Sequence, residues 1–461
     1  MTGGAVLRPY STERVENMPS RPINILYVAI DSLRSDHMSC YGYHRLTTPH
    51  IDRLAARGVL FENSLSAYIP TTPGYSSMLT GRDVMATGMV SLRAKGPLDT
   101  GQPTLPEILR EHGYVSACVG FDGGFYRGFD KYAQYQAWVS WDDRPARKAE
   151  NLNEAALPLL EEMAGQPFLL FLRHMDPHSP YLAPPPFDKM FYSKDPCQPG
   201  NKSMDPVFNF KPFADFHRSW MPPGITDIEY AVAAYDSELA YMDACIARIF
   251  TRVQELGLAD NTLTIVTSDH GETLNEHDCH FDHHGLYEPT LRVPLIFHAP
   301  GFLPEGLRLP QYTLLQDQLP TILDILGARK SLKSVEFDGH SLLPLMRGEG
   351  RQIRSEFYIS ECTWMRKRGW RTPHWKFFEA LEPDFHNKPP VELYNLAEDP
   401  LELKNLARRE PSMVQVLRDR MMRWVEKRVK ETGKEDPILG YKLGTDLHIG
   451  SIATAKKLQA R

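Results

Sequence analysis

Apolar runs alternate with helical periodicities along most of the chain. Ile23–Ile30 (INILYVAI), interrupted by Asn24, stops abruptly at Asp31 and predicts a buried strand. It is too short to span a bilayer and lacks the cleavage region of a signal peptide. Val115–Val119, Phe168–Leu172 and Leu263–Thr267 are further apolar runs bounded by turn or polar residues. Pro49–Gly58 places Ile51, Leu54 and Ala55 on one helical face with Gly58 as a stop, and Ile228–Leu256 reads as a long amphipathic helix ending near Gly257. Strands alternating with helices imply right-handed crossovers and a doubly wound parallel sheet flanked by helices. Chemistry in such sheets gathers at the carboxyl ends of strands. Asp31, His174–His178 and Asp269 each follow a predicted strand directly.

The pattern changes twice. Ala183–Gly224 is rich in proline and aromatics without clear periodicity, too long for a simple connection, and reads as a lid or ordered insertion (183–224). From about Phe337 the runs become shorter and more strand-like, with a last helix at Glu410–Glu431. The expected organisation is an N-terminal segment (1–22), a catalytic α/β domain (23–336), a smaller C-terminal α+β subdomain (337–431) and a polar arm (432–461) suited to exchange with a neighbouring subunit. A chain of 461 residues fits one large domain with an appendage.

Composition narrows the class. A net charge of −6 argues against a broad nucleic-acid surface but leaves room for a local site holding a small anion. The six cysteines are scattered, with no paired metal or disulfide spacing. Together with the missing export signal they suggest free thiols and a cytoplasmic protein with no membrane partner.

Three polar clusters carry candidate chemistry. Asp31 is a hard oxygen donor at the sheet edge, although a lone Asp there also reads as a cap or turn residue. In Ser268-Asp269-His270-Gly271-Glu272, adjacent Asp and His can reach one metal, with Gly271 permitting close backbone approach. Mixed oxygen and nitrogen donors suit Mn, Zn or Fe better than Ca. In Pro70-Thr71-Thr72-Pro73-Gly74-Tyr75, Pro73 is a good first helical residue, so Thr71 sits just before a helix N-terminus, where anions are favoured. Thr71 reads either as an ordinary cap or as a nucleophile whose hydroxyl a bound cation would activate. In His174-Met175-Asp176-Pro177-His178, an Asp and one or two His, with His283 or His284, could hold a second metal; alternatively His178 binds the anion and Asp176 fixes the turn. Arg34 and Arg292 read as structural partners of carboxylates.

IDSLRSDHMSCYGY, TPHIDRLAARGVLFENS, the LTGR after Thr71, HMDPHSPY, SDHGE, LYEPTLRVPLI and ELYNLAEDPLELKNLA together resemble sulfatases, in the family's order, from about residue 23 to 410. The resemblance implies an alkaline-phosphatase-like fold and a divalent metal held by Asp31, Asp269, His270 and the residue at Thr71. His178 and His283 match positions that contact the tetrahedral anion, with His284 an alternative to His283; Tyr75 falls where the family places a supporting arginine.

The departures are informative. Thr71 replaces the Cys or Ser that sulfatases convert to formylglycine, and threonine cannot yield that aldehyde. Gly120-Phe121-Asp122-Gly123 replaces a stretch with two cationic contacts, and Asp31-Ser32 replaces a paired Asp-Asp. At Thr71 the chain resembles phosphodiesterases and phosphonate monoester hydrolases of the same superfamily. A threonyl phosphate or phosphonate can be displaced by water, whereas a threonyl sulfate has no comparably easy exit. The favoured expectation is a Thr71-dependent phosphodiesterase or phosphonate monoesterase, with His178 or His283 protonating the leaving group. The alternatives are a sulfatase working without formylglycine and a catalytically silent binding member of the family.

Overall fold

The computed structural model describes residues 22–92, 101–121, 127–329, 332, 334–363, 365–384 and 386–440. The expected N-terminal segment, apart from Pro22, and the expected arm beyond Gly440 lie outside them. Ten strands precede residue 315: β1 Asn24–Ile30, β2 Val59–Leu65, β3 Tyr68–Ile69, β4 Val115–Gly120, β5 Lys131–Gln134, β6 Phe168–His174, β7 Thr262–Ser268, β8 Arg292–Val293, β9 Leu295–His298 and β10 Leu307–Leu314. Four follow: β11 Phe357–Glu361, β12 Lys367–Arg371, β13 Trp375–Ala380 and β14 Val391–Asn395.

The large sheet runs β10-β2-β9-β7-β1-β6-β4-β5, with β8 paired to β2. Its central members β7, β1, β6 and β4 are mutually parallel, while β9 runs antiparallel to both β7 and β2. Side chains of a strand alternate between faces, and here both faces are covered. Leu26, Val28 and Ile30 pack with helices Lys148–Met163 and Ile228–Glu255 through Leu152, Leu160, Leu239 and Ile246. Ile25 and Tyr27 pack on the opposite side with Tyr75, Leu79, Leu109 and Leu323. That two-sided burial is why β1 reads as a continuous apolar run.

Register sets the site. Ile30 lies opposite His174 of β6 and Ser268 of β7, so the residues that follow these three strands emerge at one level. Asp31 is anchored there by donating its backbone N–H to the His174 carbonyl at 3.0 Å.

The second sheet is the meander β14-β13-β12-β11, covered by helix Pro411–Thr432 through Val414, Leu417, Met421 and Val425. Its edge is completed by β3, which runs parallel to β11 with Tyr68 opposite Ser360 and Ile69 opposite Glu361. The C-terminal subdomain is therefore hydrogen-bonded to the strand that leads into Thr71. Within the insertion, helices form at Asp205–Asn209 and Lys211–Trp220. The second buries Phe213, Ala214, His217 and Trp220, a helical spacing hidden in sequence by the surrounding prolines. Among the described residues, no helix is long and apolar enough to cross a membrane.

Candidate active site

Asp31, Asp269, His270 and Thr71 meet at the carboxyl ends of β1 and β7, facing the start of helix Thr71–Thr80. The His270 Nδ1–H donates to the Gly271 carbonyl at 2.8 Å, which fixes the tautomer and leaves Nε2 as an acceptor. Nε2 lies 3.0 Å from Thr71 Oγ1, 3.4 Å from Asp269 Oδ2 and 3.6 Å from Asp31 Oδ1. Asp269 Oδ1 accepts from the backbone N–H of His270 at 3.0 Å and of Ser32 at 3.3 Å. Its other oxygen, Oδ2, is buried and has no hydrogen-bond partner.

Gly74 permits the helix to come this close. A Cβ at that position would stand 2.6 Å from the Asp269 carbonyl oxygen. Gly271 has a different reason: a Cβ there would collide with the Pro289 carbonyl oxygen, so packing against the loop at Pro289, rather than approach to a metal, demands the glycine.

Burial and charge act strongly on this cluster. Burial alone would raise the Asp31 carboxyl, but Arg173, helped by His178 and His270, holds it down at about 2. Arg173 reaches Asp31 Oδ2 at 2.8 Å. Asp269, buried beside that charge, is driven well above the usual carboxylate range by desolvation and by Asp31. Burial lowers His270, favouring a neutral, ligating imidazole. Two carboxylates, one neutral imidazole and an orphaned carboxylate oxygen fit a divalent ion of the Mn or Zn type.

His178 and His283 stand beside this cluster. Their ring centres are 5.5 Å apart, and the His283 ring is 4.5 Å from that of His270. His178 Nδ1 donates to the Ser179 carbonyl at 2.7 Å, and burial lowers its pKa against the pull of Asp31. His284 is turned towards the C-terminal subdomain: Nδ1 meets His386 at 2.8 Å and Nε2 meets Asp282 at 3.3 Å.

Asp176 has a structural task. It forms a fully buried ion pair with Lys148 at 3.0 Å, and Lys148 also meets Glu238 at 3.1 Å. Lys148 further donates to the carbonyls of His178 and Pro180 at 3.1 and 3.0 Å, securing the loop that carries His178. Of the two readings of His174–His178, the structure favours the one without a metal: Asp176 is paired with a lysine, while His174 is buried with neither ring nitrogen hydrogen-bonded.

Tyr75 lies in the core beneath the site, its ring 6.1 Å from that of Phe171. Arg173, which the motif comparison passes over, arrives from β6 and stands 5.1 Å from the Tyr75 ring and 4.0 Å from the Phe121 ring. It also donates to the Phe121 carbonyl at 2.8 Å. An arginine thus reaches the neighbourhood from another strand; a charge inside FLLFLRH was its sequence signal. Asp122 and Gly123 lie outside the described residues. Asp282 and His386 were also missed; the run Asp282-His283-His284 was a signal for the first, and nothing local marks the second.

Human iduronate 2-sulfatase is 25% identical over 84% of this chain and 80% of its own length. The multifunctional alkaline phosphatase superfamily protein PehA of Trinickia caryophylli is 27% identical over 73% and 79%. Among solved structures, the phosphonate monoester hydrolase of Silicibacter pomeroyi superposes with a TM-score of 0.69 at 22% identity, covering 89% of this chain and 96% of the other. This shows a shared fold. The N-sulphoglucosamine sulphohydrolase C-terminal family matches residues 275–430. The sulfatase family profile matches residues 23–328, well over half of the chain, a span that includes His270 and the three residues around its Nε2; the protein belongs to the sulfatase family of hydrolases.

Proposed function

We propose that this hydrolase cleaves phosphodiesters or phosphonate monoesters with Thr71 as its nucleophile. The observation that carries the reading is Thr71 Oγ1 at 3.0 Å from His270 Nε2, inside the cluster of Asp31 and Asp269. A divalent cation held by these residues would supply the positive charge that lowers the hydroxyl pKa and screens the substrate's oxygens.

The residues then have defined tasks. Thr71 Oγ1 attacks phosphorus as the bond to the departing alcohol breaks, and water afterwards displaces Thr71, so one water is consumed per turnover. The N-terminal N–H groups of helix Thr71–Thr80 face the anion. His178, with Nδ1 donating to the Ser179 carbonyl, presents Nε2 as an acceptor that takes up the proton released by Thr71 and passes it to the leaving alkoxide. The insertion closes one side: the Phe210 ring stacks on His386 at 4.5 Å and the Phe213 ring lies 5.0 Å from His284. The alcohol portion is read there.

Phosphorus is favoured over sulfur because Thr71 cannot become an aldehyde hydrate, and a threonyl ester must be opened by water. The names of PehA and of the phosphonate monoester hydrolase agree with that choice. Family membership keeps sulfate esters as the second reading. A panel of aryl phosphonate monoesters, diesters and sulfates, assayed on Mn- and Zn-loaded protein, decides: faster turnover of the sulfate by orders of magnitude would overturn the phosphorus assignment. A silent binding member would turn over none of them.

A further inference from the structure

Beyond the first cluster, a second group of donors closes around one point. The short bridge between Thr273 and Asp282, with N–H···O contacts of 2.7 and 3.2 Å, folds the loop after β7 back on itself. It brings Glu272 beside Asp282 and His283, and all three side chains are buried. His283 Nδ1 lies 3.0 Å from Asp282 Oδ1 and 4.0 Å from Glu272 Oε1. One donor atom from each residue falls within 4.8 Å of the others. A single ion at about 2.1 Å from each holds its donors roughly 3–4 Å apart, a contraction that side-chain torsions supply.

Glu272 is the decisive member. It is wholly excluded from solvent, and neither carboxylate oxygen has a hydrogen-bond partner. The Ser32 hydroxyl, shared with Asp31 at 3.4 Å, and the charge of Arg34, which bonds the Glu272 backbone carbonyl at 3.2 Å, only partly offset this burial. A buried carboxylate without donors is costly, and a second carboxylate, Asp282, stands next to it. A purely structural role would leave this buried pair of acids with the Ser32 hydroxyl and the Arg34 charge as its nearby relief. A cation satisfies both acids at once.

The geometry points to a second divalent-metal site formed by Glu272, Asp282 and His283, adjoining the cluster of Asp31, Asp269 and His270. Two carboxylates and one imidazole select a transition-metal dication such as Mn2+ or Zn2+. With His283 serving there, His178 is left as the histidine facing the substrate. The assignment rests on these three residues and does not depend on Thr71 being the nucleophile.

Equilibrium dialysis of the full chain against Mn2+, followed by metal analysis and electron paramagnetic resonance, tests it without reference to activity. The wild type should retain two Mn2+ per chain with a spin-coupled spectrum. Glu272→Gln and Asp282→Asn should each retain one, with an uncoupled spectrum. A wild-type stoichiometry of one overturns the proposal even if the variants fail to fold. Two ions retained by both variants would overturn it equally, since the second ion would then lie elsewhere. Full phosphonate hydrolysis by Thr71→Ala with two ions still bound would contradict the functional proposal alone.

Discussion

The Thr71 hydroxyl lies 3.0 Å from Nε2 of His270, a nitrogen whose lone pair is exposed to it because Nδ1 is bound to the Gly271 carbonyl. A helix start and a strand end are thereby brought into register across Gly74. Gly74→Ala is expected to push the helix away from the Asp269 carbonyl, now 2.6 Å from the position of that new methyl. Misplacement of Thr71 by even an ångström should lower kcat by about 100-fold while the fold persists. Steady-state kinetics with a melting curve checks this, and unchanged kcat would contradict it.

Arg173 is the counter-charge of a buried acid, so removing it leaves Asp31 unpaired. Arg173→Met should cost about 3–5 kcal/mol in metal-free protein. Added Mn2+ should recover part of that loss, because it restores positive charge beside Asp31. Urea unfolding with and without metal measures both. A loss below about 1 kcal/mol, within the range of an ordinary surface ion pair, would show that the pair is unimportant.

Stability should also depend on pH through buried neutral histidines. Desolvation pushes His174 and His217 down to about 4, against 6.5 when unfolded. Between those values the unfolded chain binds more protons, so the contribution is complete above about pH 6.5 and is lost as pH falls towards 4. Each group contributes on the order of 3 kcal/mol. His174→Phe should flatten the acid limb of the stability curve; an unaltered limb would contradict the assignment.

Phe213 packs near His284 from the insertion and takes no part in the proposed proton or bond changes. Phe213→Ala should raise KM for esters of bulky alcohols several-fold and leave small esters nearly unaffected. A uniform fall in kcat across both classes would contradict a role confined to alcohol recognition.

The sheet was legible because strands buried on both faces leave continuous apolar runs, and β1, β6 and β7 appear within one or two residues of expectation. Asp31, Asp269, His270 and Thr71 were legible because strand ends and a proline-marked helix start have local signatures. What escaped the sequence depends on pairing across distance. Lys148 is over twenty residues from Asp176, yet it cancels the charge that a second metal there would need. Arg173 sits in an apolar strand and gains meaning only from Asp31 opposite. Glu272, Asp282 and His283 converge through a one-residue bridge without strand periodicity.

The central claim concerns Thr71, and the most direct measurement is kcat/KM of Mn-loaded Thr71→Ala on an aryl phosphonate monoester, with bound metal quantified in the same samples. The account predicts a fall of at least about 1000-fold with Asp31, Asp269 and His270 still holding metal. Activity within tenfold of wild type would show that another group attacks phosphorus, and would contradict it.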